Sequence, residues 1–184
     1  MSNTGGTVYI ILFRGVGGAT QLPVKPLREK LAEAGFGKVA TYINSGNAVL
    51  ESALARAEVV AKVAEVCKAE FGFDKDIHAV TRAEWTKLIK ANPFPDALAV
   101  PRFLHAAVLA GDPPEGAVEK LREVAKDGER IEVVGRIAYL HTPNGFGTSK
   151  LAEKFDKGIG VPNTARNWNT VVKLGEMADA MAAD

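Results

Sequence analysis

Three cations in this chain stand beside polar side chains and glycines where strands or helices should end: Arg14, Lys150 and Arg166. Arg14 opens the run "RGVGG" together with Gly15. Lys150 follows Ser149 in "GTSKLAEKFDK". Arg166 lies in "NTARNWNTVVKL" beside Asn167. Cations among amides and hydroxyls suit an anion, because a planar guanidinium meets phosphate or carboxylate with paired hydrogen bonds. The tail stretch is the most pointed. Read as the head of an amphipathic helix, it has Thr164 as its cap, with Asn163 the alternative. Arg166 then falls in the first turn, the unfavourable end for a cation. Such a placement calls for a compensating anion, either a carboxylate of this protein or a ligand. Trp168, Val171, Leu174, Ala178 and Met181 share a face, so Trp168 is the anchor that docks the helix. Ser149 repeats the theme, capping a helix whose first turn holds Lys150.

Other residues point less far. "TYINSGN" puts Asn44, Ser45 and Asn47 around one turn, a polar cluster that also satisfies the ordinary backbone demands of a hairpin. "FRGVGGATQ" lies between a strand and a helix, where glycine amides can cradle phosphate, yet its spacing fits neither the dinucleotide fingerprint nor a P-loop. His78, His105 and His141 all fall in expected strands, none with a second ligand at metal spacing. Cys67 lies among valines and reads as core. Neither a metal nor another cofactor is expected. An RNA-stacking sheet would use aromatics of its first and third strands; Tyr9 and Phe13 are available in one, but "NAVLES" has none, which counts against nucleic acid.

The 184 residues allow one domain or two small ones. A net charge of +1 argues against a dedicated nucleic-acid binder. One cysteine excludes an internal disulfide. The N-terminal stretch lacks the pattern of a signal peptide, and no run approaches the ~18–20 apolar residues of a membrane span, so a cytoplasmic protein is expected.

The elements that must position these residues follow from periodicity. "TVYIILFR" is a buried strand, "PVKPLREKLAEAGF" a helix, "KVATYI" and "AVLES" a hairpin, Leu54–Phe71 a long helix and "DIHAVT" a strand. That order, β-α-β-β-α-β, is the ferredoxin-like split unit. A connecting helix spans Thr81–Pro95. The order then restarts with "RFLHAAVLAG", a helix before "KDG", the hairpin "ERIEVVG"/"RIAYLHT" and the helix "SKLAEKFDKGIG", and it runs into the tail helix without a clear fourth strand. The expected fold is therefore α+β, two ferredoxin-like subdomains in tandem plus a C-terminal helix, divided as residues 1–91 and 92–184. The first strand is apolar on both faces, so the second face must also be covered, by the other half, by the tail helix or by a second subunit in a homodimer. Residues 1–91 carry 12 Lys and Arg against 9 Asp and Glu, and residues 92–184 carry 11 against 13, an asymmetry too small to name a partner.

"LFRG", "TYINSGN", "NPFP", "AYLHTP" with "SKL", and "TARNWNTVVKL" together resemble the family called domain of unknown function 1697, over about residues 7 to 178. The resemblance implies two ferredoxin-like subdomains and supplies no activity. It marks Arg14, Gly15, Thr41, Ser45, Gly46, Asn47, Ser149, Lys150, Thr164, Arg166, Asn167 and Trp168 as motif residues. The family's loop usually reads "RGINVGG"; here "RGVGG" is two residues shorter, which alters the reach of any contact that loop makes.

These features lead to an expected function: binding of a small anionic, phosphate-bearing ligand in a cleft between the halves. Arg14, Lys150 and Arg166 would supply charge, Asn44, Asn47 and Asn167 orientation, with Gly15, Ser45 and Ser149 beside them. The alternatives are a phosphoryl-group enzyme at the same cleft, which would need a general base the motifs do not supply, and a non-catalytic protein whose motifs lock its subdomains together.

Overall fold

The run Thr7–Phe13 forms strand β1, and its alternation splits it between two buried faces. A computed structural model describes residues 5–43 and 46–184 of the chain. Tyr9, Ile11 and Phe13 point to one side of the sheet, into a core shared with helices α1 (Val24–Glu33) and α2 (Arg56–Phe71). Leu27 and Leu31 of α1 and Val59, Val63 and Cys67 of α2 fill that core, at the helical spacing the sequence shows. Burial pushes the Cys67 thiol up to about 12, so it stays protonated and inert. Ile10 and Leu12 point the other way and are equally buried, as is Val49 of β3 (Asn47–Ser52). The expectation of a covered second face is met.

Strands β2 (Gly37–Thr41), β3, β1 and β4 (Ile77–Thr81) lie in the order β2-β3-β1-β4, every neighbouring pair antiparallel. Helix α3 (Arg82–Lys90) follows, then two short 3₁₀ turns at Pro95–Ala99 and Pro101–Phe103. Proline placement explains the break, since Pro93 and Pro95 cannot continue a helix.

The second sheet repeats the first. Strands β5 (Leu104–Leu109), β6 (Arg130–Val134), β7 (Ile137–His141) and β8 (Asn163–Asn167) take the order β6-β7-β5-β8, again all antiparallel. Helices α4 (Ala117–Val124) and α5 (Lys150–Gly158) pack Leu121, Leu151 and Phe155 against Ala107, Leu109, Ile131, Ala138 and Leu140. Strand β8 corrects the sequence reading. Asn163–Asn167, taken as the head of the tail helix, pairs with β5 over its whole length and completes the second β-α-β-β-α-β unit. Two α+β halves of ferredoxin-like topology, followed by helix α6 (Trp168–Ala183), therefore make up the chain.

One compact unit comprises the described residues through Lys87 with Lys173–Asp184, and the other comprises Leu88–Val172. The end of α6 is tied into the first unit by Lys38 Nζ donating to the Met181 carbonyl at 3.3 Å and by the Arg82–Asp179 pair at 2.6 Å. Among the described residues, no helix is long and apolar enough to cross a membrane.

Candidate functional site

Strand alternation sorts the motif residues of the second unit onto two faces. Ala165 faces the α4/α5 core, so its neighbours Thr164 and Arg166 point to the opposite face. There Arg166 stands opposite Ala106 in the ladder, two residues from Thr164 on the same side. Its Nη1 donates to Thr164 Oγ1 at 2.6 Å and to the Ala165 carbonyl at 2.8 Å. Arg166 is half-buried, and burial pulls its guanidinium down to about 10, still well above neutrality. Arg166 thus sits in a strand, and the expectation of a cation misplaced in a first helical turn falls away. Thr164 is likewise no cap; it is a buried strand residue whose hydroxyl orients the arginine.

The cap of α6 is Asn167. Its Oδ1 accepts from Asn169 N at 3.0 Å, as a helix N-cap does for the second helical residue. Its Nδ2 donates to the Arg102 carbonyl at 2.8 Å, clamping the strand-to-helix corner onto the turn before β5. Trp168 follows directly, buried at 3 % exposure with its ring 6.4 Å from that of Tyr139. Val171, Leu174, Ala178 and Met181 are buried too, so the expected apolar stripe is there.

Ser149 and Lys150 lie on the helix side of the sheet, across it from Arg166. Ser149 caps α5 as expected, its Oγ accepting from Ala152 N at 3.0 Å. Glu129 Oε2 accepts from Leu151 N at 3.3 Å, so a carboxylate of this protein already occupies the helix start. Lys150 is exposed and pairs with Glu153 at 2.8 Å, which raises the lysine's pKa and lowers the glutamate's. The structure therefore does not gather Lys150 with Arg166: the sheet runs between them.

In the first unit, Arg14 stands half-buried just past β1, its amide bonded to the Asp76 carbonyl at 3.0 Å. Gly15 follows in the left-handed region. Asn47 is buried and donates from Nδ2 to the Tyr42 carbonyl at 3.2 Å, tying together the described ends of "TYINSGN". Gly46 in that turn cannot carry a side chain: its φ is +80°, and a Cβ would lie 2.7 Å from Val16 Cγ2 and 2.9 Å from the Phe13 carbonyl oxygen. Ile43 is held at φ 45°, a strained conformation for a β-branched residue, with its side chain about half exposed. Asn44 and Ser45 lie outside the described residues. Leu12, Asn47 and His78 form one row across β3, β1 and β4 on the face away from α1 and α2. Tyr9 and Phe13 point into the helix-side core, so they offer no surface on which bases could stack.

Two constellations were missed from sequence. At the end of the β6–β7 ladder, Arg130 makes a two-pronged pair with Asp96, at 3.2 and 2.7 Å, and Nη2 donates to His141 Nδ1 at 2.9 Å. The guanidinium also covers the Phe94 ring at 4.5 Å. Burial first, then the Arg130 charge, lowers the His141 pKa against the pull of Asp96. This knot joins "NPFP" to "AYLHTP" and gives both motifs a structural role. The second is His105, which stands in the core-facing series with Ala107 and Leu109, its ring stacked on Phe146 at 4.0 Å. The alternation of "FLHAAVL" is the signal that could have singled it out. Among the described residues, no group of three or more His, Cys, Asp or Glu is placed to hold a metal ion.

The family described as "Protein of unknown function (DUF1697)" matches residues 7–139. The chain belongs to this family. The match takes in the "TYINSGN" turn and ends at Tyr139, before Ser149, Lys150 and the β8–α6 corner. A solved structure titled as a conserved bacterial protein, SP0830 from Streptococcus pneumoniae, is similar over 95 % of this chain and 99 % of its own. Its TM-score is 0.73 at 19 % identity, a likeness of fold that extends to the residues the family match leaves out. No curated protein matches. The DUF1697 family brings no activity with it, so function has to be argued from the residues.

Proposed function

We propose that this DUF1697 protein binds a small phosphate-bearing anion, with Arg166 as the principal cation. One observation carries the reading: a half-buried guanidinium on a sheet face, oriented by two neutral oxygens, Thr164 Oγ1 and the Ala165 carbonyl. A fixed guanidinium plane loses little freedom when it meets a phosphate, and low polarity around it strengthens the attraction. Lys150, exposed and paired on the other side of the sheet, has no part in it.

A thermal-shift screen with nucleotides and sugar phosphates tests this. A ligand at a hundredfold excess over Kd adds about 2.7 kcal/mol, which for a chain of this size raises Tm by roughly 5–10 °C. The shift should vanish in Arg166→Ala and persist in Lys150→Ala. Each shift is measured against the same variant without ligand, so a change in basal stability does not enter. An equal shift in wild type and Arg166→Ala removes Arg166 from the site.

A second reading has its own support. Arg166 Nη1 is already engaged by Thr164 Oγ1 and the Ala165 carbonyl, which favours a structural role for the guanidinium in β8. It expects no phosphate-dependent shift in any variant and a lower basal Tm in Arg166→Ala.

A further inference from the structure

His105 Nδ1 is buried and has no hydrogen-bond partner. A bare polar atom inside a protein costs free energy that evolution has usually removed, so its presence asks for a reason. The surroundings supply one. His105 pairs with Leu140 on one side and Asn167 on the other, one residue into β5. The chain leaves β7 at that same end, and its loop returns Phe146 over the imidazole at a ring separation of 4.0 Å and an angle of 29°. Phe146 is only half-buried. Gly145 and Gly147 flank it, Gly145 at φ +109°, and a Cβ on Gly147 would meet nothing within 4 Å. The loop is pinned by Gly145 N donating to the Thr142 carbonyl at 2.9 Å, Thr148 Oγ1 to the Asn144 carbonyl at 3.2 Å and Ser149 N to the Phe146 carbonyl at 3.3 Å, so the Phe146 side chain, and not the loop backbone, is the part free to swing.

We infer that residues 143–148 form a lid, with Phe146 as its closing face, over a binding site whose polar anchor is His105 Nδ1. The ligand class that fits is a neutral small molecule with a hydroxyl or amide group, because a neutral imidazole nitrogen donates or accepts according to its tautomer and such groups answer either. Burial alone depresses His105, to about 4, so it is uncharged at pH 7 in the closed state. Opening the lid wets the ring and returns it towards the ordinary 6.5, where a histidine serves as a base near neutrality. The site goes beyond the phosphate reading, since His105 and Arg166 point to opposite faces of the sheet. Either can fail without the other.

The probe is diethyl pyrocarbonate, which acylates neutral imidazole, with each histidine followed by peptide mass spectrometry at pH 7. A neutral ring makes the rate a measure of access and not of protonation. In the wild type, His105 should react far more slowly than in urea-unfolded protein. In Phe146→Ala it should react roughly tenfold faster or more, as expected when a locally closed segment is opened, while His78 and His141 keep their rates. In parallel, its NMR titration midpoint should move from about 4 towards 6.5. If Phe146→Ala speeds all three histidines, it has unfolded, and Phe146→Val is judged by the same criteria. A His105 rate within about twofold of wild type in the folded variant, or a wild-type rate already equal to that of the unfolded chain, overturns the lid.

Discussion

Arg166 and His105 show opposite ways of burying a titratable side chain. Arg166 keeps its charge because burial lowers it only to about 10, still far above neutrality. His105 gives its charge up. Its folded pKa of about 4 lies below the 6.5 of an exposed imidazole, so between those values the unfolded chain binds more protons than the folded one. Stability is therefore full above about pH 6.5 and declines as pH falls towards 4, where the loss levels off. The shift corresponds to at most about 3 kcal/mol. Urea titrations at pH 7, 5.5 and 4.5 should show this decline, and His105→Phe should flatten it in part. His141, lowered for the same main reason, and the lowered carboxylates Glu84, Asp96 and Glu153 contribute to the rest of the slope. A decline of equal steepness in His105→Phe would mean that His105 is not the group responsible. At this scale the sequence was half legible. It picked out Arg166 by its polar neighbours but assigned it to a helix, and it treated three histidines alike although alternation separates them.

The misread element was β8, and the reason is physical. "NTARN" has little strand propensity and one apolar residue, so nothing local marks it as a strand. It is a strand because β5 offers it an edge, a tertiary effect that periodicity cannot register. The helix it precedes was seen correctly, but the cap was placed three residues early. Asn167→Ala tests the corrected position. It removes the bond to Asn169 N and the bond to the Arg102 carbonyl, and should cost about 1–3 kcal/mol in chemical denaturation. Thr164→Val is expected to spare the helix and instead remove one of the oxygens that orient the Arg166 guanidinium, so far-UV helicity near the melting transition separates the two. The turn element in the first unit makes a matching prediction. Gly46→Ala forces a Cβ to within 3 Å of Val16 and Phe13 from a left-handed backbone, and a loss of about 2–4 kcal/mol is expected. The sequence had marked this glycine as part of a hairpin turn, and the close approach of β1 explains why no other residue fits.

At the scale of the molecule, element order carried the fold. Two runs of the same order gave two sheets of the same strand arrangement, without any sequence repeat between them. What element order could not divide was the last helix. Its first residues, with Trp168 against Tyr139, belong to the second unit, while Lys173–Asp184 belong to the first. The two tryptophans make this separable. Trp85 is buried in the first unit and Trp168 in the second, so Trp168→Phe and Trp85→Phe backgrounds each leave a reporter for one unit. A chain ending at Val172 loses the buried Leu174, Ala178 and Met181, together with the Lys38 and Arg82 contacts. Burial of such side chains contributes about 1.5–3 kcal/mol for a leucine or methionine and less for an alanine, so the loss should be roughly 4–6 kcal/mol. That is a large share of the stability of a small unit. The Trp85 transition should move to markedly lower urea, or be absent, while the Trp168 transition moves less. If both shift by the same amount, the last helix is not energetically a part of the first unit, and the division of the chain at Val172 loses its meaning for folding.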